Sequence, residues 1–154
     1  MSSTFAQLLA AEISAVQRFV ALLKEEEKIL RGNQLDALEK LMAEKDRLIE
    51  ELSRIGEARQ GWFAAAGITE NRESIEKWLQ TQSNPRLSQA WQALQRLARE
   101  AKALNELNGQ CIALLSHNNR KLLETLRSPR ADVGVYGPDG QTSLGPASRI
   151  SDSV

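Results

Sequence analysis

The chain is 154 residues long, enough for one domain, or one domain with a tail, and short for two. Lysine plus arginine number 20 and aspartate plus glutamate also number 20, so no net basic charge draws the protein to nucleic acid or anionic lipid. The single cysteine, Cys111, excludes an internal disulfide and, with one histidine, leaves too few soft ligands for a zinc site.

A lone cysteine fits a reducing compartment. No apolar run approaches the ~18 residues that a bilayer crossing needs, and the N-terminus lacks a basic region followed by a continuous apolar one. The expected location is the cytoplasm. Aromatic residues are 5% of the chain, and Leu, Ala, Glu, Lys, Arg and Gln dominate its first five-sixths, the composition of long amphipathic helices.

A first helix is predicted from the three-and-four spacing of Phe5, Leu8, Leu9, Ile13, Val16, Phe19, Val20 and Leu23, continuing to Ile29 and Leu30. The run Glu25-Glu26-Glu27 between Lys24 and Lys28 reads as a solvated face with local ion pairs. Gly32 is predicted as a left-handed C-terminal cap and Asn33 as the N-cap of the next helix. So tight a turn folds the second helix back antiparallel on the first, a hairpin from about Ser3 to Ala66.

The second helix carries a heptad-like seam, Leu38, Leu41, Lys45, Leu48, Leu52 and Ile55, which Leu35, Met42 and Ile49 widen. The seam lysine is expected to snorkel its head to water. The pattern fades near Gly61, Trp62 and Phe63 and stops by Gly67.

A short helix is predicted within Ile68 to Gln82, bearing Ile75, Trp78 and Leu79 and ended by Ser83 and Asn84. Asn84 before Pro85 then marks a new start, with Asn as N-cap and Pro at the first helical position. This long third helix of the bundle runs through Leu87, Trp91, Leu94, Leu97, Ala101, Leu104, Cys111, Leu115, Leu122 and Leu126 to about Arg127. Trp91 falls in its seam and is expected in the core. Trp62 and Trp78, each beside a break, fit a core or an interface. Asn108-Gly109, a hairpin signal elsewhere, is flanked by helix-period leucines and reads as helical. The glycine there implies close approach of another backbone or a slight kink.

Composition changes after Ser128: three of the four prolines, Pro129, Pro138 and Pro146, and four of the nine glycines follow it. That segment has too few apolar groups to offset the entropy of ordering and is expected to be a flexible tail. The expected fold class is therefore all-α, an antiparallel helical hairpin plus a long third helix. It amounts to an elongated three-helix bundle or coiled coil, with a helical domain at 1–128 and a Gly/Pro-rich tail at 129–154.

The long helix is roughly 64 Å against 45 to 50 Å for each hairpin arm, so its last two or three turns should overshoot. Its leucines there, with Leu104, Leu107, Cys111, Ile112, Leu114 and Leu115, spread over roughly 180°, wider than the ~100° stripe that packing on a hairpin uses. An uncovered apolar arc of this kind marks a partner site. The alternative is that the short helix or the tail covers it.

No Gly-rich phosphate loop, His-Glu-x-x-His, paired cysteines or Gly-x-Ser-x-Gly occurs. No catalytic residue, metal ligand, cofactor or small-molecule substrate is expected. His117 beside Asn118 and Asn119 reads as a surface residue, and Cys111 among leucines as a small buried apolar one.

Three segments carry a family resemblance: Glu44-Lys45 through Leu48-Ile49 to Leu52; "LNELNGQCI" from Leu104 to Ile112; and "VYGPDGQTS" from Val135 to Ser143. Together they resemble the flagellar export chaperones of the FlgN type, over most of the chain. The tail sequence after an "LNxxNG" helix is the most specific of the three.

The resemblance implies a cytosolic chaperone with no enzymatic activity. Such a chaperone binds the C-terminal segments of the two hook-filament junction (hook-associated) proteins, stops them from polymerising early and delivers them to the type III export gate. It implies cargo binding on the C-terminal part of the long helix, here Leu107, Leu114, Leu115, Leu122, Leu123 and Leu126. It also implies that Tyr136 docks on the cytoplasmic domain of the export-gate membrane protein. The final residues, after Arg149, depart from the family pattern, and nothing is carried over to them. The alternative function is a homo-oligomeric coiled-coil scaffold or adaptor, in which the leucine arc meets its own copy.

Overall fold

The structure, a computed structural model, describes residues 2–127. Among them are four α-helices and no strand: α1 (Ser2–Arg31), α2 (Leu35–Ala65), α3 (Arg72–Gln82) and α4 (Pro85–Arg127). The sequence expectation of a hairpin, a short connecting helix and a long uninterrupted helix through Asn108-Gly109 holds. The expected tail and Tyr136 lie outside the described residues.

The chain divides into two compact units, Met1–Gln110 and Cys111–Val154, with the division inside α4. In the first unit, ion pairs give the direction of α2 against α1: Glu12 meets Arg59, Arg18 meets Glu51 and Glu26 meets Lys45, so partner numbers fall as α1 advances. The hairpin is antiparallel. Lys24 lies 3.5 Å from Glu100 and Asn108 reaches Glu26, whereas Phe5 meets Trp91, so α4 runs parallel to α1.

The turns follow local chemistry with one correction. The residue that turns left-handed after α1 is Asn33, with φ of 53°, not Gly32. The amide of Gln34 donates to Ile29 O at 3.1 Å and that of Asn33 to Leu30 O at 3.3 Å, the paired closing bonds of a Schellman motif. Asn tolerates this conformation next best to Gly, so the N-cap of α2 shifts from Asn33 to Gln34, which makes no side-chain cap bond. The same motif closes α2, with Gly67 left-handed at φ 72° and Ile68 N bonded to Phe63 O at 2.9 Å.

The short helix lies within the expected span and ends at Gln82 as expected; it begins at Arg72, where Asn71 caps it by accepting from Ser74 N at 2.8 Å. Asn84 caps α4 as expected, accepting from Leu87 N at 3.3 Å, with Pro85 in the first helical position.

The core consists of Phe5, Leu9, Val16, Phe19, Val20 and Leu23 of α1, Leu48 and Phe63 of α2, Ile75 and Leu79 of α3, and Leu87, Leu94 and Ala101 of α4. At the open end of the hairpin Phe5 meets Trp62, Phe63, Trp78 and Trp91 at ring-centroid distances of 4.7 to 6.3 Å. The two open positions, Trp62 and Trp78, therefore belong to the core end, partly buried and 5.0 Å apart. Such tilted and edge-on pairs add about 0.5–1.5 kcal/mol each beyond area burial. They tie α3 to the mouth of the hairpin.

α1 alone among the described helices is long and apolar enough to cross a membrane, over Ser3–Arg31, a stretch the sequence expectation did not allow for. Its apolar residues face the bundle instead, and two carboxylates, Glu12 and Glu26, are buried beside them.

Candidate functional site

Of the six leucines expected at the binding surface, Leu107, in the first unit, is 61% exposed. In the second unit Leu114 is 60% exposed, Leu123 52% and Leu126 70%. Leu115 is half-buried, and the side chain of Leu122 lies outside the described residues. On a helix, Leu123 and Leu126 stand about 180° and 120° round from Leu114, so the exposed leucines of α4 wrap the helix rather than forming one stripe. Cys111 and Ile112 are half-buried, which corrects the expected burial of Cys111; His117 is exposed.

The widened seam of α2 does not behave as one face. Leu41 and Leu48 are buried, whereas Leu35 and Ile49 are 42% and 44% exposed. Among the described residues these two are the other large apolar side chains open to solvent.

The polar residues depart most from the sequence expectations. Lys45 does not reach for water. It is buried, and its Nζ donates to both oxygens of Glu26, at 3.1 and 3.2 Å. Glu26, in turn, is fully buried, unlike Glu25 and Glu27 on either side. Only Glu27 makes a local pair of the expected kind, with Arg31 at 2.7 Å.

Asn108 completes the cluster. Its amide donates both hydrogens, to Glu26 Oε1 at 2.8 Å and to Leu23 O at 2.9 Å. Gly109 next to it has nothing within 4 Å of where a Cβ would stand, so the close backbone approach expected there is absent, and Asn108 is the buried member of the pair. A signal was available: Glu26 lies three residues from Leu23 and from Ile29, Lys45 sits inside a leucine seam, and Asn108 is four residues from Leu104. Each is a polar residue at a core position of a different helix.

The hairpin bears a second internal pair, Glu12 with Arg59, which also meets Glu70 at 3.6 Å. An open groove of about 520 Å³ between α1 and α2 is lined by Leu22, Leu41 and Leu48 with Arg18, Arg47 and Glu51. Two of its charges pair: Arg18 donates to both Glu51 oxygens, at 2.6 and 3.2 Å. That hydrogen bond holds the Glu51 carboxyl below its usual range and raises the guanidinium of Arg18. Among the described residues no three His, Cys, Asp or Glu are grouped to hold a metal ion.

These features define an all-α helical bundle with exposed leucines on its longest helix and no metal-binding group among the described residues. The sequence matches the FlgN protein family over residues 1–144, and the chain belongs to that family. A Pseudomonas aeruginosa crystal structure, described as a candidate flagella synthesis protein FlgN, matches the fold with a TM-score of 0.65. It shares 24% identity and covers 77% of this chain and 94% of its own. The comparison with curated proteins gave no match. As a member of that family the protein belongs to flagellum biogenesis, among proteins of chaperone type.

Proposed function

We propose that this chain is a cytosolic export chaperone for the hook-filament junction proteins. It holds their C-terminal segments on the far half of α4, prevents their early assembly and hands them to the flagellar type III export gate. The observation that carries this reading is the exposure of Leu107, Leu114, Leu123 and Leu126 at 52% to 70% in a member of the FlgN family. Apolar surface of that kind is costly to leave in water and returns about 25 cal/mol per Å² when covered, before ordering costs.

Leu115 and Leu122 complete the proposed surface, which, because its leucines wrap the helix, suits cargo that packs around more than one side of it. Tyr136 is proposed to dock on the cytoplasmic domain of the export-gate membrane protein, where a tyrosine offers a large amphipathic anchor with two torsions to immobilise. In this reading the helical part to residue 128 is the binding domain and 129–154 the docking tail, with no cofactor and no nucleic acid involved.

The test is co-purification of the full chain with flagellar axial proteins and mass spectrometry of what stays bound. Junction proteins in stoichiometric yield support the reading. A chain that associates only with its own copies is instead the homo-oligomeric scaffold.

A further inference from the structure

The groove between α1 and α2 lies within the first unit and is floored by Leu22, Leu41 and Leu48. At one level of its rim the charges are matched, Arg18 with Glu51. About two turns further along α1, and two turns back along the antiparallel α2, Glu25 and Glu44 come level with each other on the same rim. Both are exposed, and among the described residues neither makes a hydrogen bond or an ion pair. The lining as a whole sets Glu25, Glu44 and Glu51 against Arg18 and Arg47, an excess of negative charge over an apolar floor.

The far part of α4 carries the complementary pattern. From Gly109 to Arg127 the basic residues are Arg120, Lys121 and Arg127, and Glu124 alone opposes them. Arg120 and Leu123 are both exposed. At ~100° per residue, positions 120, 123 and 127 fall within about 60° of one another, so arginine, leucine and arginine share one stripe. The steps along it, about 4.5 and 6 Å, equal those that separate Glu44 from Leu41 and from Leu48 on α2.

We propose that the α1–α2 groove is a docking site for the far part of α4 from a second copy of this chain, with an arginine set between Glu25 and Glu44 and Leu123 on the leucine floor. Two carboxylates that face each other repel, and a guanidinium, with five donors in a planar fork, satisfies both. Groove and stripe are different surfaces, so the contact is heterologous and every chain carries one of each. Docking takes Leu123 out of water, and cargo then competes with the second copy for it. That competition rests on the reading of Leu123 as cargo surface; the self-contact does not, and it is measured without cargo.

The test is sedimentation velocity of the full chain alone from about 1 to 100 µM, in low and high salt. The wild type should shift from monomer to a larger species as concentration rises, less so in high salt. Glu25→Arg/Glu44→Arg, which alters only the groove, and Arg120→Glu/Arg127→Glu, which alters only the stripe, should each weaken association about tenfold or more. Mixing the two variants sets a basic groove against an acidic stripe and should regain the larger species. A wild type that stays monomeric throughout overturns the proposal. So does association that both reversals leave unchanged, which assigns it to leucines meeting leucines, or a mixture that remains monomeric.

Discussion

Lys45→Met separates a buried ion pair from a solvated one. In the native fold the lysine ammonium bridges both oxygens of a carboxylate that has no exposed surface. With the ammonium gone, Glu26 keeps only the 2.8 Å bond from Asn108, which is too little to replace the water it gave up on burial. Removing one partner of such a pair costs about 3–5 kcal/mol, against a typical total stability of roughly 5–15 kcal/mol. At roughly 4 °C per kcal/mol for a domain of this size, the midpoint should fall by about 12–20 °C. The assay is thermal and urea unfolding followed by circular dichroism on wild type, Lys45→Met, and the double variant Glu26→Met/Lys45→Met. The double variant should recover most of the loss, because neither charge is then stranded. A single variant that loses less than about 1 kcal/mol, the range of exposed pairs, would refute the buried-pair account and restore a lysine that reaches solvent.

Leu123→Asp with Leu126→Asp should leave the melt within about 0.5 kcal/mol of wild type while abolishing capture of junction proteins, since both side chains are already largely in water; cooperative unfolding on dichroism would instead place these leucines in a core. Tyr136→Ala should leave stability and cargo capture unchanged but weaken binding of the gate's cytoplasmic domain about thirtyfold, the loss of an anchor of ~2 kcal/mol, and equal titration curves would remove it from the mechanism. Arg18→Ala probes the Glu51 carboxyl, which the arginine's hydrogen bond holds below its usual range. A lowered folded value means stabilisation that is present above the unfolded carboxylate's titration and lost as pH falls through the folded one. The urea midpoint of Arg18→Ala should therefore trail wild type near neutrality, and the gap should close in acid and shrink in high salt.

Much of the architecture was legible from residues a few positions apart. Asn84-Pro85 announces the start of α4 because capping is a contact between a side chain and an amide three residues on. The three-and-four leucine spacing gives the two hairpin arms and their antiparallel return, and the Asn108-Gly109 pair stays helical because its flanking period outweighs its turn chemistry. The "LNELNGQCI" and "VYGPDGQTS" segments pointed to the family that the chain belongs to. The leucines at the far end of α4 were also legible as surplus, since nine apolar residues span a wider arc than one hairpin can cover.

Tertiary structure decided the fate of each polar residue in those stripes. Glu26 looks like its neighbours Glu25 and Glu27 along the chain, yet it alone is buried, because its partners stand 19 and 82 residues away on other helices. Lys45 and Asn108 look like imperfections in leucine seams and become the groups that join those seams. The same distance dependence left Trp62 and Trp78 open between core and interface until Phe5, some sixty to seventy positions earlier, closed the aromatic cluster around them. Helix boundaries and faces arise from interactions within about one turn, which the sequence carries intact. Whether a charge is solvated or buried depends on which complementary group folding brings opposite it, and that group has no fixed spacing along the chain.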